Sequence, residues 1–181
     1  MNKLITMTLA MSIFGCQDVK LDPLPVDYPD VLVVGDSQCD EVWWKNYTFP
    51  SYAGTYKNCK ARRQLAQLMH PNMLYAPDTF NIIVMELGTN DASKHNDPVA
   101  YQSWLQNYKD YDSAHLLCLL PDRTDNIDIE PYRDAMVTVC DSTIDLRPLN
   151  IVGEDRVHYT HAGQKIIAQE LVIKLEEIKN D

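Results

Sequence analysis

Val31-Leu32-Val33-Val34-Gly35-Asp36-Ser37 is the stretch that decides the fold. Four apolar residues, three of them β-branched, predict a short strand buried on both faces. Gly35 ends the run, and Asp36 and Ser37 follow where a helix can begin. Open α/β sheets bind ligands beyond the carboxyl ends of their strands. A helix N-terminus at that edge stabilises negative charge. A serine there is well located for a nucleophile. An Asp-Ser pair after a strand is also what an ordinary helix cap looks like, and the tripeptide alone favours the cap.

The same unit recurs along the chain. A second buried strand is expected over 80–87, dominated by Ile82, Ile83, Val84 and Met85, and it runs into Gly88-Thr89-Asn90-Asp91. A third is expected over 114–120, stopped by Pro121, and a short one over 142–146. Residues 47–52 alternate aromatic and smaller side chains around Pro50, which places a strand there at a sheet edge. Helices are expected over 38–45, 57–69, 98–108, 130–139 and 161–178. Pro98 opens the third of these. The last carries Ile166, Ile167, Leu171, Ile173, Leu175 and Ile178 toward its inner face. Strands alternating with helices at this spacing imply βαβ units. The expected architecture is a three-layer α/β/α sandwich around a mainly parallel, flavodoxin-like sheet of about five strands. Gly35 and Gly88 stand alone, so no glycine-rich phosphate loop is present.

The 181 residues suit one domain with a substantial core. A formal net charge of -10 argues against nucleic acid as a partner, because phosphates would be repelled. The start of the chain reads as a targeting segment. Lys3 gives a short positive beginning, and an uncharged apolar run over 4–14 leads to Gly15 and Cys16. That run is too short to span a bilayer and fits a signal peptide over 1–15. Ile13-Phe14-Gly15-Cys16 resembles the bacterial lipobox, which implies lipidation of Cys16. Ordinary cleavage nearby is the alternative. Residues 16–29, with Pro23, Pro25 and Pro29, read as a stiff tether, leaving 30–181 as the folded domain. The expected location is an exported lipoprotein facing the periplasm or cell surface, touching the membrane only through its anchor.

Cys39, Cys59, Cys118 and Cys140 remain in the exported part. Four cysteines in such a domain imply two disulfides, with three possible connectivities. Sequence proximity favours Cys39 with Cys59 and Cys118 with Cys140. A buried free thiol at Cys118 is the alternative.

Three polar clusters carry the chemistry: Gly35-Asp36-Ser37, Gly88-Thr89-Asn90-Asp91 and Asp155-Arg156-Val157-His158. Two follow parallel strands and the third precedes the last helix, so all three should meet at one edge of the sheet. Convergence of Ser, Asn, Asp and His is hard to explain as three unrelated caps. In these blocks, in their order and spacing, the chain resembles the SGNH hydrolases, the superfamily of GDSL-type esterases and lipases. Gln38 stands where that family's name-giving leucine would be. The resemblance covers nearly all of the chain from Val31 onward, including Tyr159-Thr160-His161-Ala162-Gly163-Gln164. The family's second block, a glycine, is best matched by Gly54.

The resemblance implies a role for each residue. Ser37 is the nucleophile. A serine hydroxyl attacks an ester only with a base to take its proton, and His158 is that base, since imidazole titrates near neutrality. Asp155 accepts a hydrogen bond from the other ring nitrogen, fixing the tautomer as in serine proteases. The backbone N–H groups of Ser37 and Gly54 and the Asn90 amide form the oxyanion hole. Asp36 and Asp91 brace their loops. His161, near His158 and Asp155, raises the thought of a metal, but the set is short of zinc ligands and no metal or other cofactor is expected. His70, His95 and His115 read as surface or loop residues. Trp43, Trp44, Tyr47, Tyr52 and Tyr56 are candidates for pocket walls or core.

The expected activity is hydrolysis of a small acyl ester. Candidate substrates are an O-acetylated glycan or a short-chain or lysophospholipid ester. The competing expectation is a catalytically silent lipoprotein that uses the same fold to bind an envelope glycan or partner. The intact Ser37, Asp155 and His158 favour the enzyme.

Overall fold

The chain is described by a computed structural model over residues 31–40, 55–68 and 80–180. Its strands are β1 (Val31–Gly35), β2 (Thr55–Cys59), β3 (Ile82–Glu86), β4 (His115–Leu120) and β5 (Ser142–Asp145). Its helices are α1 (Ser37–Asp40), α2 (Leu65–Leu68), α3 (Thr89–Ser93), α4 (Pro98–Tyr111), α5 (Glu130–Val139) and α6 (His161–Asn180). The strands form one sheet in the order β2-β1-β3-β4-β5, every neighbouring pair parallel.

Side chains alternate across the sheet, so each apolar strand feeds two cores. Leu32, Val34, Ile83, Met85, Leu116 and Leu120 face α4 and α5, packing with Tyr101, Leu105, Tyr132 and Met136. Val31, Val33, Ile82, Val84, Leu117 and Leu119 face α6, packing with Ile167, Ala168, Leu171 and Leu175. These runs are apolar without interruption because both faces are covered. On α6, Ile173 is exposed while Ile166 and Ile178 are only partly buried, so its inner stripe is narrower than the sequence implied. Asp97 caps α4 by accepting from Val99 N, and Pro98 takes the first turn, where no N–H is needed.

The edge of the sheet departs from expectation. The strand expected over 47–52 lies outside the described residues. The edge strand β2 occupies 55–59, and the helix expected over 57–69 is reduced to Leu65–Leu68. Lys57-Asn58-Cys59-Lys60-Ala61-Arg62-Arg63 has helical composition but no apolar face to bury. Pairing with β1, Gly35 opposite Cys59, decides its state instead. Arg62 is left-handed, φ 63°, which a helix does not accommodate. Arg63 folds back into the interior and donates to Asn58 Oδ1 at 2.8 Å and to the Asn58 carbonyl. The short helix α3 was also unexpected, and α4 runs three residues past its expected end, to Tyr111.

Both disulfides have the pairing favoured by proximity. Cys39 joins Cys59 with Cα atoms 5.7 Å apart, and Cys118 joins Cys140 at 6.1 Å. The first ties α1 to the end of β2. The second ties β4 to the end of α5. No helix among the described residues is long and apolar enough to cross a membrane.

Candidate active site

Ser37 opens α1 directly beyond the carboxyl end of β1. The turn needs a glycine before it: a Cβ on Gly35 would lie 2.4 Å from Cys39 Sγ and 2.9 Å from the Glu86 carbonyl oxygen. Asp36 is buried and accepts from Gln38 N at 2.9 Å. Ser37 is thereby left partly exposed at the sheet edge.

Asp155 and His158 arrive on the loop before α6. Asp155 Oδ1 accepts from Val157 N at 3.0 Å and from His158 N at 2.8 Å, which winds the loop around the carboxylate. Arg156 sits inside that turn in a left-handed conformation, φ 61°. Asp155 Oδ2 lies 2.6 Å from His158 Nδ1, and His158 Nε2 lies 3.1 Å from Ser37 Oγ. A carboxylate on Nδ1 holds the ring proton there and leaves Nε2 free to accept from the serine hydroxyl. The Val157 N–H, aided by the His158 ring and N–H, pulls the Asp155 carboxyl down to about 2. Asp155 is therefore ionised at neutral pH. Both side chains are about half exposed, 54% and 52%.

The Gly88-Thr89-Asn90-Asp91 block reaches the same edge from β3. Gly88 has φ 111°, which side chains other than glycine's rarely tolerate. Asn90 Nδ2 donates to Asp36 Oδ2 at 2.8 Å, so the carboxamide is tied to the residue just before Ser37. Asp91 is buried and turned away, accepting from Leu65 N at 3.1 Å and from Asn96 Nδ2 at 2.9 Å. Asp36 and Asp91 are thus loop braces. Burial raises both carboxyls, Asp36 to about 6.

Two participants had no signal in the sequence. Glu86 ends β3 with its side chain fully buried. Among the described residues neither of its carboxyl oxygens has a hydrogen-bond partner. The Tyr159 hydroxyl is near enough to lower its pKa without meeting hydrogen-bond geometry. Burial, reinforced by the Asp36 charge, raises the group well above the usual carboxylate range. Arg123, also buried, donates to the Thr89 carbonyl at 3.0 Å and to Ser93 Oγ at 2.8 Å, and pairs with Asp125. The adjacent Thr124 N donates to the Arg156 carbonyl at 3.0 Å. One short loop thus links α3, which carries Asn90, to the turn that carries Asp155 and His158.

Gly54, expected in the oxyanion hole, lies outside the described residues, as do Cys16, His70, Trp43, Trp44, Tyr47 and Tyr52; of Tyr56 only the backbone is described. His95 and His161 are exposed. His115 is partly buried at the opposite, amino edge of the sheet, its Nε2 2.8 Å from Ser142 Oγ.

No family model matches the chain, and no curated protein matches its sequence. Solved structures do match its fold. A psychrotrophic esterase from Pseudoalteromonas sp. superposes with a TM-score of 0.61 at 13% identity, over 83% of this chain and 98% of that one. A member of the lipolytic G-D-S-L family from Veillonella parvula gives 0.57 at 14% identity, over 78% and 95%. A catalytic mutant of an acetylxylan esterase from Geobacillus stearothermophilus gives 0.55 at 13% identity, over 80% and 93%. The chain therefore has the α/β fold of the SGNH, or GDSL-type, esterases and lipases.

Proposed function

We propose that this chain is a serine ester hydrolase of the SGNH superfamily, acting on a small acyl ester. The observation that carries the reading is the unbroken hydrogen-bonded path from Ser37 Oγ through His158 to Asp155. His158 Nε2 takes the hydroxyl proton as Ser37 Oγ bonds to the ester carbonyl carbon, and the carbonyl oxygen becomes an oxyanion. Asp155 stabilises the imidazolium without taking its proton. The second amide proton of Asn90, with the backbone N–H groups of Ser37 and Gly54, stabilises the oxyanion. As the intermediate collapses, the ester C–O bond breaks and the departing alcohol takes the proton from Nε2. Water, deprotonated by the same nitrogen, then releases the acid and restores Ser37.

The exposure of His158 and Asp155 supports an ester presented at an open edge, such as an O-acetyl group on a glycan or a short-chain or lysophospholipid ester. The two disulfides support an oxidising compartment. In this reading residues 1–15 direct export and lipidated Cys16 holds the domain at a membrane through the 16–29 tether.

The test is a panel of p-nitrophenyl esters from acetate to long acyl chains, together with acetylated glycans, run beside Ser37→Ala. Hydrolysis by the parent that the variant lacks, with unchanged far-UV circular dichroism, is the expected result. Equal hydrolysis by both proteins would remove Ser37 from the chemistry. A parent inert on every ester, and unlabelled by a fluorophosphonate, would favour the silent binding protein.

A further inference from the structure

We propose that Gln38 is a positioning residue that fixes His158 relative to Ser37; the proposal rests on the hydrolase reading above. Gln38 is 3% exposed. Its Nε2 donates to the Val157 carbonyl, and its Oε1 accepts from Tyr159 N at 3.3 Å. One carboxamide therefore binds the two peptide groups on either side of His158. This is how a neighbouring β-strand would engage that segment, but here a single side chain does it.

The clamp completes a set of contacts that leaves the segment little freedom. Val157 N and His158 N are held by Asp155, and the His158 carbonyl accepts from Gly153 N at 2.7 Å. Thr160 N donates to the Ile151 carbonyl at 2.8 Å. Those bonds shape the loop internally or tie it to its own antiparallel partner. The Gln38 bonds attach it to the nucleophile's turn. Because Gln38 follows Ser37 directly and its own N–H is caught by Asp36, the clamp's fixed end lies one peptide from the reacting hydroxyl. The separation of Oγ from Nε2, 3.1 Å, is thus set by a link that bypasses the substrate.

A leucine here, as the GDSL pattern has it, would offer no polar atom. It would strand a partly buried carbonyl and N–H beside the histidine. The present sequence keeps the position buried yet polar. A displacement of about 1 Å in a catalytic group costs on the order of 10²-fold in rate, and that is the scale expected from losing the clamp.

The experiment compares the parent with Gln38→Leu, Gln38→Glu and Ser37→Ala, reading kcat and KM on p-nitrophenyl acetate and the rate of fluorophosphonate labelling. Gln38→Leu should lower kcat and the labelling rate by about 10²-fold while KM stays near the parent value, since Gln38 is buried beneath the site surface. Gln38→Glu supplies a readout that loss of packing would not move. A protonated carboxyl keeps one donor for Val157 and one acceptor for Tyr159, whereas an ionised one has acceptors only. Its kcat should therefore fall reversibly as pH rises, along a limb that the parent and Gln38→Leu lack. The ionisable side chains of Asp36, Glu86, Asp155 and His158 also surround this position, which is why the parent profile is the reference. A kcat for Gln38→Leu within about twofold of the parent, or a Gln38→Glu profile superimposing on the parent's, would overturn the clamp. If Gln38→Leu does not fold, the Gln38→Glu profile decides alone. Ser37→Ala separates the two ideas: if it is as active as the parent, the hydrolase reading fails and the clamp with it. If it is inert while both Gln38 variants behave as the parent does, only the clamp fails.

Discussion

The Asn90 carboxamide donates to the Asp36 carboxylate at 2.8 Å, joining residues 54 positions apart beyond the ends of the adjacent strands β1 and β3. An amide has two protons, and this bond commits one and orients the other. Asp36 thus makes Asn90 a preorganised donor rather than a mobile side chain. Asn90→Ala is expected to lower kcat by about 10²- to 10³-fold with little change in KM, because the donor acts on charge that develops only in the transition state. Steady-state kinetics on a short p-nitrophenyl ester check this. An unchanged kcat would take Asn90 out of the oxyanion hole.

Asp155→Asn separates the structural and electronic parts of that residue. The amide oxygen can still accept from Val157 N and His158 N, so the loop keeps its shape. The amide nitrogen would then face His158 Nδ1 and reverse the tautomer, turning Nε2 into a donor that cannot accept the Ser37 proton. We expect kcat to fall by about 10² to 10⁴ with the melting temperature nearly unchanged. Retained turnover would show that Asp155 serves the loop alone.

The two disulfides should differ in their effect on activity. Each closes a loop of similar span, 20 and 22 residues, worth about 3 kcal/mol in a chain-entropy account. Removing either pair by Cys→Ala substitution should lower the melting temperature by about 6–12 °C in a chain of this size. Only the Cys39→Ala/Cys59→Ala variant should also lose much of its turnover, because Cys39 lies two residues from Ser37. Equal activity in the two double variants would refute that asymmetry. Intact mass after reduction and alkylation tests whether the bonds form.

Buried carboxyls near the site predict an unusual stability profile. Asp36 rises from 3.8 to about 6 and Glu86 shifts the same way, both chiefly through burial. Each holds its proton more tightly folded than unfolded. The folded state therefore binds more protons between about pH 4 and 6, and stability falls as pH rises through that window. Asp155, lowered to about 2, acts in the opposite sense: its contribution is present above the unfolded value and is lost in stronger acid. It is half exposed, so solvent screens that contribution. The melting temperature should peak at about pH 4 and decline toward neutrality. Glu86→Gln, which keeps the shape without the ionisable proton, should flatten the decline. A melting temperature still climbing between pH 5 and 7 would contradict these shifts.

The parts of the site legible beforehand are those written as short local patterns. Val31-Leu32-Val33-Val34 is apolar at every position, so its state is strand wherever both faces are covered, and the Gly-Asp-Ser that follows must then lie at the sheet edge. The polar segment 55–63 carries no such pattern. The composition of 57–69 pointed to a helix, and only the free edge of β1 beside it makes 55–59 a strand. Gln38 drew notice only as a departure from leucine. No local pattern sets Glu86 or Arg123 apart.

The amino-acid sequence by itself determined the alternation of buried strands and helices, the order of the three polar blocks and the favoured cysteine pairs. Each of these follows from spacing along the chain, because hydrophobic periodicity and loop length are local properties. Tertiary structure alone decided that Asn90 binds Asp36, that Gln38 holds both sides of His158 and that Glu86 is buried with no hydrogen-bond partner among the described residues. Those contacts join residues from separate elements, and a buried polar atom is satisfied or stranded by whatever the sheet brings within 3 Å or so of it, which no stretch of chain encodes alone.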